Sequence, residues 1–189
     1  MPSQNKRALS VPYKNMKETT KKILLFDTET NGLNPYTNDI VQLSWEVYDQ
    51  TGKSLKFTDE YIRGAVLSSY NIEHLGITQD MIDEQGSYKN DLFLAFCNDV
   101  SEADVLVGHN IKFDIDFLVS KTKNPTLFHS KKTICTMKTT SNFVGIQNFY
   151  GYKYPKLEEL YFKLFNENFE GAHNAINDVR ATANVFLNY

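Results

Sequence analysis

Ile23-Leu24-Leu25-Phe26-Asp27-Thr28-Glu29-Thr30-Asn31-Gly32 runs four apolar residues into two carboxylates and then into a turn signal. An apolar run without polar alternation is the pattern of a strand buried on both faces. Residues two apart on a strand point to the same side, so Asp27 and Glu29 share one face at the strand's end. Like charges that close repel unless something positive sits between them, and a divalent metal is the usual answer. Taken alone, the stretch reads more readily as a strand ending in a polar Asn31-Gly32 turn. Two later clusters reverse that balance.

The pattern around this stretch is regular from Lys22 onward. Residues 40–48 alternate, with Val41, Leu43, Trp45 and Val47 on one side and Gln42, Ser44 and Glu46 on the other, which predicts a strand with one covered face. Gln50-Thr51-Gly52-Lys53 is a tight turn, and residues 55–62 return as a paired strand, making a meander. Residues 91–100 place Leu92, Ala95 and Phe96 on one helical face, and Val105-Leu106-Val107-Gly108 reads as a second buried strand. Residues 113–120 form a helix in which Asp114 shares a face with Phe117 and Leu118. A short strand is expected over 134–137. Two amphipathic helices follow, one carrying Leu157, Leu160, Tyr161, Leu164 and Phe165, the other Val179, Thr182, Ala183, Phe186 and Leu187. The expected class is α/β, with one domain over residues 22–189 and a basic, flexible arm over residues 1–21.

Bulk properties narrow the function classes. At 189 residues the chain suits a single domain with a substantial core. No apolar stretch approaches the roughly eighteen residues of a membrane span, and the start has no secretory pattern, so no membrane partner is expected. The two cysteines, Cys97 and Cys135, show no metal-binding spacing and suit a reducing, cytoplasmic location. Net charge is −3, unevenly spread: residues 1–22 hold six basic groups against one acid, leaving 14 basic and 22 acidic groups in the rest. An acidic body argues against wrapping long duplexes by phosphate neutralisation. It leaves room for carboxylates that hold metal and for a grip on a strand end.

The second cluster is Val107-Gly108-His109-Asn110-Ile111-Lys112-Phe113-Asp114, where a buried strand delivers an acid to the first turn of the next helix. An acid there often only complements the helix dipole. In open α/β sheets, however, working residues gather at the carboxyl ends of strands. Asp116 points about 200° away on that helix and is not expected in the same site. The third cluster, Gly171-Ala172-His173-Asn174-Ala175-Ile176-Asn177-Asp178, opens the last helix. His173 and Asp178 reach one cavity only if His173 sits in the loop or first turn. Four converging acids, Asp27, Glu29, Asp114 and Asp178, would be strongly self-repelling without metals. Hard oxygen ligands favour Mg²⁺ or Mn²⁺ over zinc. A pair of such ions about 3.5–4 Å apart clamps the attacking and leaving oxygens of a phosphodiester. A histidine with a pKa near about 6.5 can take a proton from water at neutral pH.

The order Asp-x-Glu, His-Asn-x-x-Phe-Asp and His-x4-Asp resembles the DEDD exonuclease superfamily in its histidine (DEDDh, DnaQ-like) branch, the group of the DNA polymerase III proofreading subunit, RNase T and the TREX nucleases. The resemblance implies an RNase H-like fold, a central five-stranded mixed sheet with helices on both faces. It also implies a metal-dependent 3′-to-5′ exonuclease releasing nucleoside 5′-monophosphates from single-stranded 3′ ends, DNA rather than RNA, with two divalent ions, Mg²⁺ or Mn²⁺, as cofactors. Asp27 would bridge both ions, Glu29 and Asp178 would hold the one nearer the attacking water, Asp114 the other, and His173 would be the general base. Thr30 would lie against the terminal nucleotide, and Leu33 would either wedge beside the last bases or pack as a turn leucine. His109 and Asn110 match the family's turn and are read as structural. The segment Asn71-Ile72-Glu73-His74-Leu75-Gly76-Ile77-Thr78 is similar to a His-Gly-Ile-Thr stretch of such enzymes, but Leu75 displaces His74, so no catalytic role is assigned to it. Loops 120–132 and 145–156 are rich in Lys, Tyr or Asn and read as solvated loops or strand contacts. A polymerase or a second copy of the chain is a possible partner. The competing readings are an exoribonuclease acting on short RNA, and a non-catalytic module that holds a strand end or docks a polymerase.

Overall fold

Residues 21–189 are described by the computed structural model, so of the arm expected over residues 1–21 all but Lys21 lies outside the described residues. The elements, in chain order, are β1 (Lys22–Thr30), β2 (Ile40–Asp49), β3 (Ser54–Tyr61), α1 (Ser69–Leu75), α2 (Gln79–Gln85), α3 (Lys89–Glu102), β4 (Val105–Gly108), α4 (Ile111–Thr122), α5 (Pro125–His129), β5 (Lys132–Cys135), α6 (Thr136–Thr139), α7 (Ser141–Val144), β6 (Gln147–Asn148), β7 (Gly151–Tyr152), α8 (Leu157–Phe165) and α9 (Ala175–Asn188). Five strands form one sheet in the order β3-β2-β1-β4-β5. The β1–β2 and β2–β3 pairs are antiparallel, and β1–β4 and β4–β5 are parallel, which is the mixed α/β sheet of an RNase H-like fold. Because β1 and β4 run parallel, their carboxyl ends, carrying Asp27–Glu29 and Gly108, lie at the same end of the sheet.

Helices cover both faces, and the alternation along β1 decides what each face carries. Leu24 and Phe26 point into a cluster with Trp45, Phe96, Phe117 and Phe128, beneath α3, α4 and α5. Phe26 and Trp45 meet Phe96 edge-on at 5.3 and 5.2 Å, and the Trp45 indole N–H donates to Asp99 Oδ2 at 2.7 Å. Burying each such aromatic contributes about 2–3 kcal/mol. Leu25, between them, points the other way, into a cluster with Val107, Ile176, Val179 and Ala183, so α9 closes the opposite face. In turn α9 packs its Ala181 and Val185 on Leu157, Leu160 and Tyr161 of α8.

Two local expectations need correction. β2 does not have one covered face: Gln42, Ser44 and Glu46 are buried along with the apolar side. Of this row, which α9 covers, Gln42 Nε2 and Ser44 Oγ donate to Asp59 of β3 at 2.7 and 2.5 Å, whereas Glu46 Oε2 makes no hydrogen bond and faces Arg180 of α9 at 4.0 Å. The strand expected over 134–137 ends at Cys135, and Thr136 and Met137 already belong to α6. Among the described residues, no helix is long and apolar enough to cross a membrane.

Candidate active site

The face of β1 that carries Leu25 continues through Asp27 and Glu29, so both carboxylates emerge on the side covered by α9. Asp178, in the first turn of α9, meets them there: one ligand oxygen from each of Asp27, Glu29 and Asp178 lies within 4.8 Å of the others. The start of α9 is set by β2 rather than by its own cap. Asn174, at the N-cap, makes no side-chain cap bond; instead the Ala175 N–H donates to Gln42 Oε1 at 3.3 Å. Gln42 sits directly across from Glu29 in the β1–β2 register, so one cross-strand pair aligns an acid and the helix that brings another. Asp178 Oδ1 is buried with no hydrogen-bond partner, an orphan acceptor that a bound cation would satisfy.

Asp114 stands apart from this trio. The side chain of Thr28 points to the opposite face from Asp27, and both its N–H, at 3.1 Å, and its hydroxyl, at 2.7 Å, donate to Asp114 Oδ1. The carboxylate of α4 is thereby tied to the middle residue of the Asp-x-Glu run. It still repels the Asp27 carboxylate and helps raise its pKa.

The electrostatics are those of a site short of positive charge. Burial pushes Asp27 well above the usual carboxylate range, and the charges of Asp114, Glu29 and Asp178 push it further. Glu29 rises to about 8, from burial first and then from Asp178 and Asp114. Burial raises Asp114 to about 7 against the opposing Thr28 hydrogen bonds. It raises Asp178 to about 7 against the nearby His173 N–H, with the Glu158 charge adding to the rise. Acids whose proton affinity is raised toward neutral pH by burial and mutual repulsion favour a cation that replaces the proton. The donors are all carboxylate oxygens, a set suited to Mg²⁺ or Mn²⁺.

His173 lies in the loop before α9, with φ of 66°, a left-handed conformation uncommon for a residue with a side chain. It lines a cleft of about 350 Å³ with Asp27, Asp178, His109, Lys156 and Phe169. Its exposed ring lies 5.2 Å from that of His74, which itself stacks on Tyr70 at 5.5 Å. The sequence assigned His74 no role, and no local pattern connects α1 with the loop before α9; only the tertiary fold brings the rings together. Thr28 was also missed, although its place between two acids with its side chain on the other face was a usable signal.

The remaining candidates divide. Thr30 is half-buried, its hydroxyl donating to Gly32 O at 2.7 Å. Leu33 is 84% exposed, which removes the alternative that it packs on the core. His109 spends both ring nitrogens on the scaffold, 3.0 Å from Thr136 Oγ1 and 3.0 Å from the Pro155 carbonyl, and burial lowers its pKa. A carbonyl can only accept, so the neutral ring carries its proton on Nε2. Asp116 pairs with Lys112 at 2.6 Å on the exposed side of α4, away from the trio.

A profile of the RNase T family, described as Exonuclease, matches residues 24–186. The PolC-type DNA polymerase III of Listeria innocua is 31% identical over 160 residues, which is 84% of this chain and 10% of that protein. The PolC-type DNA polymerase III of Caldanaerobacter subterraneus subsp. tengcongensis is 26% identical over 170 residues, 88% of this chain and 11% of that protein. The chain therefore spans about a tenth of the length of these relatives. Escherichia coli exonuclease I in complex with a dT13 oligonucleotide shares the fold, with a TM-score of 0.72 at 16% identity, covering 88% of this chain and 40% of that one.

Proposed function

The chain belongs to the RNase T family of DEDD-type 3′-to-5′ exonucleases, and from that premise we propose that it removes nucleoside 5′-monophosphates one at a time from the 3′ end of single-stranded DNA. The observation that carries this reading is the trio Asp27, Glu29 and Asp178, three ligand oxygens within 4.8 Å with an unpartnered Asp178 Oδ1 among them. Asp27, Glu29, Asp114 and Asp178 are the residues that would hold a pair of divalent ions, Mg²⁺ or Mn²⁺. When bound, such ions supply Lewis acidity to the scissile phosphate and stabilise the attacking and leaving oxygens.

The chain's own residues do the rest. His173, on the rim of the cleft, accepts the proton of the attacking water at a ring nitrogen. Its ring is free to do so, unlike that of His109, whose two nitrogens are committed. Thr30 and the exposed Leu33 follow the Asp-x-Glu run and flank the terminal nucleotide, Leu33 pressing on its base. DNA is favoured over RNA by the relatives, which are named as DNA polymerases, and by exonuclease I, solved with a deoxythymidine oligomer. A polymerase to which the domain belongs or docks is the partner that these relatives suggest.

The test is a time course on 5′-labelled single-stranded DNA and matching RNA with Mg²⁺, Mn²⁺ or EDTA, beside an Asp178→Ala protein. A ladder descending from the 3′ end that needs both metal and Asp178 is the expected result, with DNA cut faster. Faster RNA cleavage would transfer the reading to an exoribonuclease. No shortening by a folded, metal-supplied protein would leave only a strand-end or polymerase-docking module.

A further inference from the structure

The two most exposed large hydrophobic side chains among the described residues stand together at one hairpin. Phe149 and Tyr150 are 95% and 92% exposed, forming the two-residue loop between β6 and β7. Such loops ordinarily carry Asn, Asp or Gly, which suit the backbone and leave nothing apolar in water. Here the left-handed position passes to Gly151, with φ of 120°, and the loop itself presents two aromatic rings. The rings meet edge-to-face at 5.3 Å and 87°, so one face of one ring receives the other's edge and the remaining faces are turned to different sides. Tyr152 and Tyr154 extend the aromatic run, at 50% and 58% exposure.

The hairpin is a firmly mounted arm. On its incoming side Ile146 packs against the α8–α9 cluster, and the Lys153 N–H donates to the Ile146 carbonyl at 2.9 Å, tying the outgoing strand to it. Beyond β7 the chain runs to Pro155, whose carbonyl accepts from His109 Nε2 at 3.0 Å, and the next residue, Lys156, lines the cleft with Asp27 and Asp178. Five residues of extended chain carry Tyr150 at most about 18 Å from Pro155. Residues 145–156 contain two lysines and no acid; Lys153 is paired with Glu159 of α8 at 2.7 Å, and Lys156 lines the cleft. Exposed rings on a segment that runs into the wall of the cleft at Lys156 fit a single-stranded nucleic acid, whose every base has a face to stack.

We propose that the β6–β7 hairpin is a stacking arm, on which Phe149 and Tyr150 hold bases of the single strand 5′ to the scissile phosphate as it leaves the cleft. This rests on the nuclease reading above, and its consequence is a dependence on substrate length. A nucleotide that only fills the cleft does not reach the tip; a long strand does.

The test compares wild type with Phe149→Ala/Tyr150→Ala on three substrates: the p-nitrophenyl ester of thymidine 5′-monophosphate, a deoxythymidine trimer, and a deoxythymidine 20-mer. Both side chains are almost fully exposed, so the variant should fold as wild type does. The expected result is unchanged kcat/KM on the ester and a rise of about 10- to 100-fold in KM on the 20-mer. The rise persists as salt is increased, because stacking does not draw on phosphate charge. Phe149→Trp/Tyr150→Phe should restore the wild-type KM. Equal KM values on the 20-mer for wild type and the alanine variant would overturn the arm, and so would an equal loss on all three substrates, which would place the hairpin's effect in the site through Pro155 and His109. Absence of wild-type activity on every substrate would instead defeat the nuclease reading itself.

Discussion

At the scale of the residue, the general-base role proposed for His173 predicts that its removal separates chemistry from binding. Its ring faces the cleft but is not among the clustered carboxylate oxygens. His173→Ala is expected to slow single-turnover cleavage by about 10²–10⁴-fold, the usual worth of a positioned proton acceptor. Mn²⁺ binding, followed by calorimetry, should stay near the wild-type value; loss of metal affinity would show that the histidine serves the ions rather than the water. The acids and this histidine were legible in the sequence because three short motifs keep their spacing and each falls at a strand or helix end. His74 was not, because a ring-to-ring contact between α1 and the loop before α9 leaves no trace in local spacing. Nor was the hold of Thr28 on Asp114, which needs the parallel pairing of β1 with β4 to bring α4 to the strand's edge.

At the scale of the element, α9 depends on a glutamine from another element. Gln42 is buried, with its amide shared between Asp59 of β3 and the first N–H of α9. Gln42→Leu keeps the volume and strips both bonds, leaving Ala175 N–H and Asp59 each short of a partner. A loss of about 1–3 kcal/mol in urea unfolding is expected, with a fall in activity as the first turn carrying Asp178 loosens. An unchanged midpoint would mean that water replaces the amide. The alternation over residues 40–48 identified the strand correctly and misjudged its polar face, since period-2 patterning cannot say whether a polar row meets water or a covering helix. Long periodic segments such as α8 and α9 were readable, whereas α1, α2, α5–α7 and the β6–β7 hairpin, each of seven residues or fewer, lie below what periodicity resolves.

At the scale of the whole molecule, the concentrated acids set a pH dependence. In the metal-free protein Glu29 titrates at about 8, Asp114 and Asp178 at about 7, and Asp27 well above its ordinary value, against roughly 4 in the unfolded chain. The native state therefore binds more protons than the unfolded one over this range, so stability from these groups is full below about pH 4 and is lost as pH rises through about 8. In EDTA the Tm is expected to fall between pH 5 and 8.5, and Mg²⁺ or Mn²⁺ should raise it most at the alkaline end. A Tm that climbs with pH in EDTA would contradict the burial of these carboxylates. The same architecture has a bearing on timing. Asp27 belongs to the first strand and Asp178 to the last helix, with Asp114 between them on β4's following helix, so the trio and its neighbour exist only when the ends of the domain have met across the sheet. Contacts of such long sequence separation are entropically late. During synthesis or refolding, the cluster of acids is thus incomplete until α9 docks, and a cation meets its full set of carboxylate ligands only on the assembled sheet.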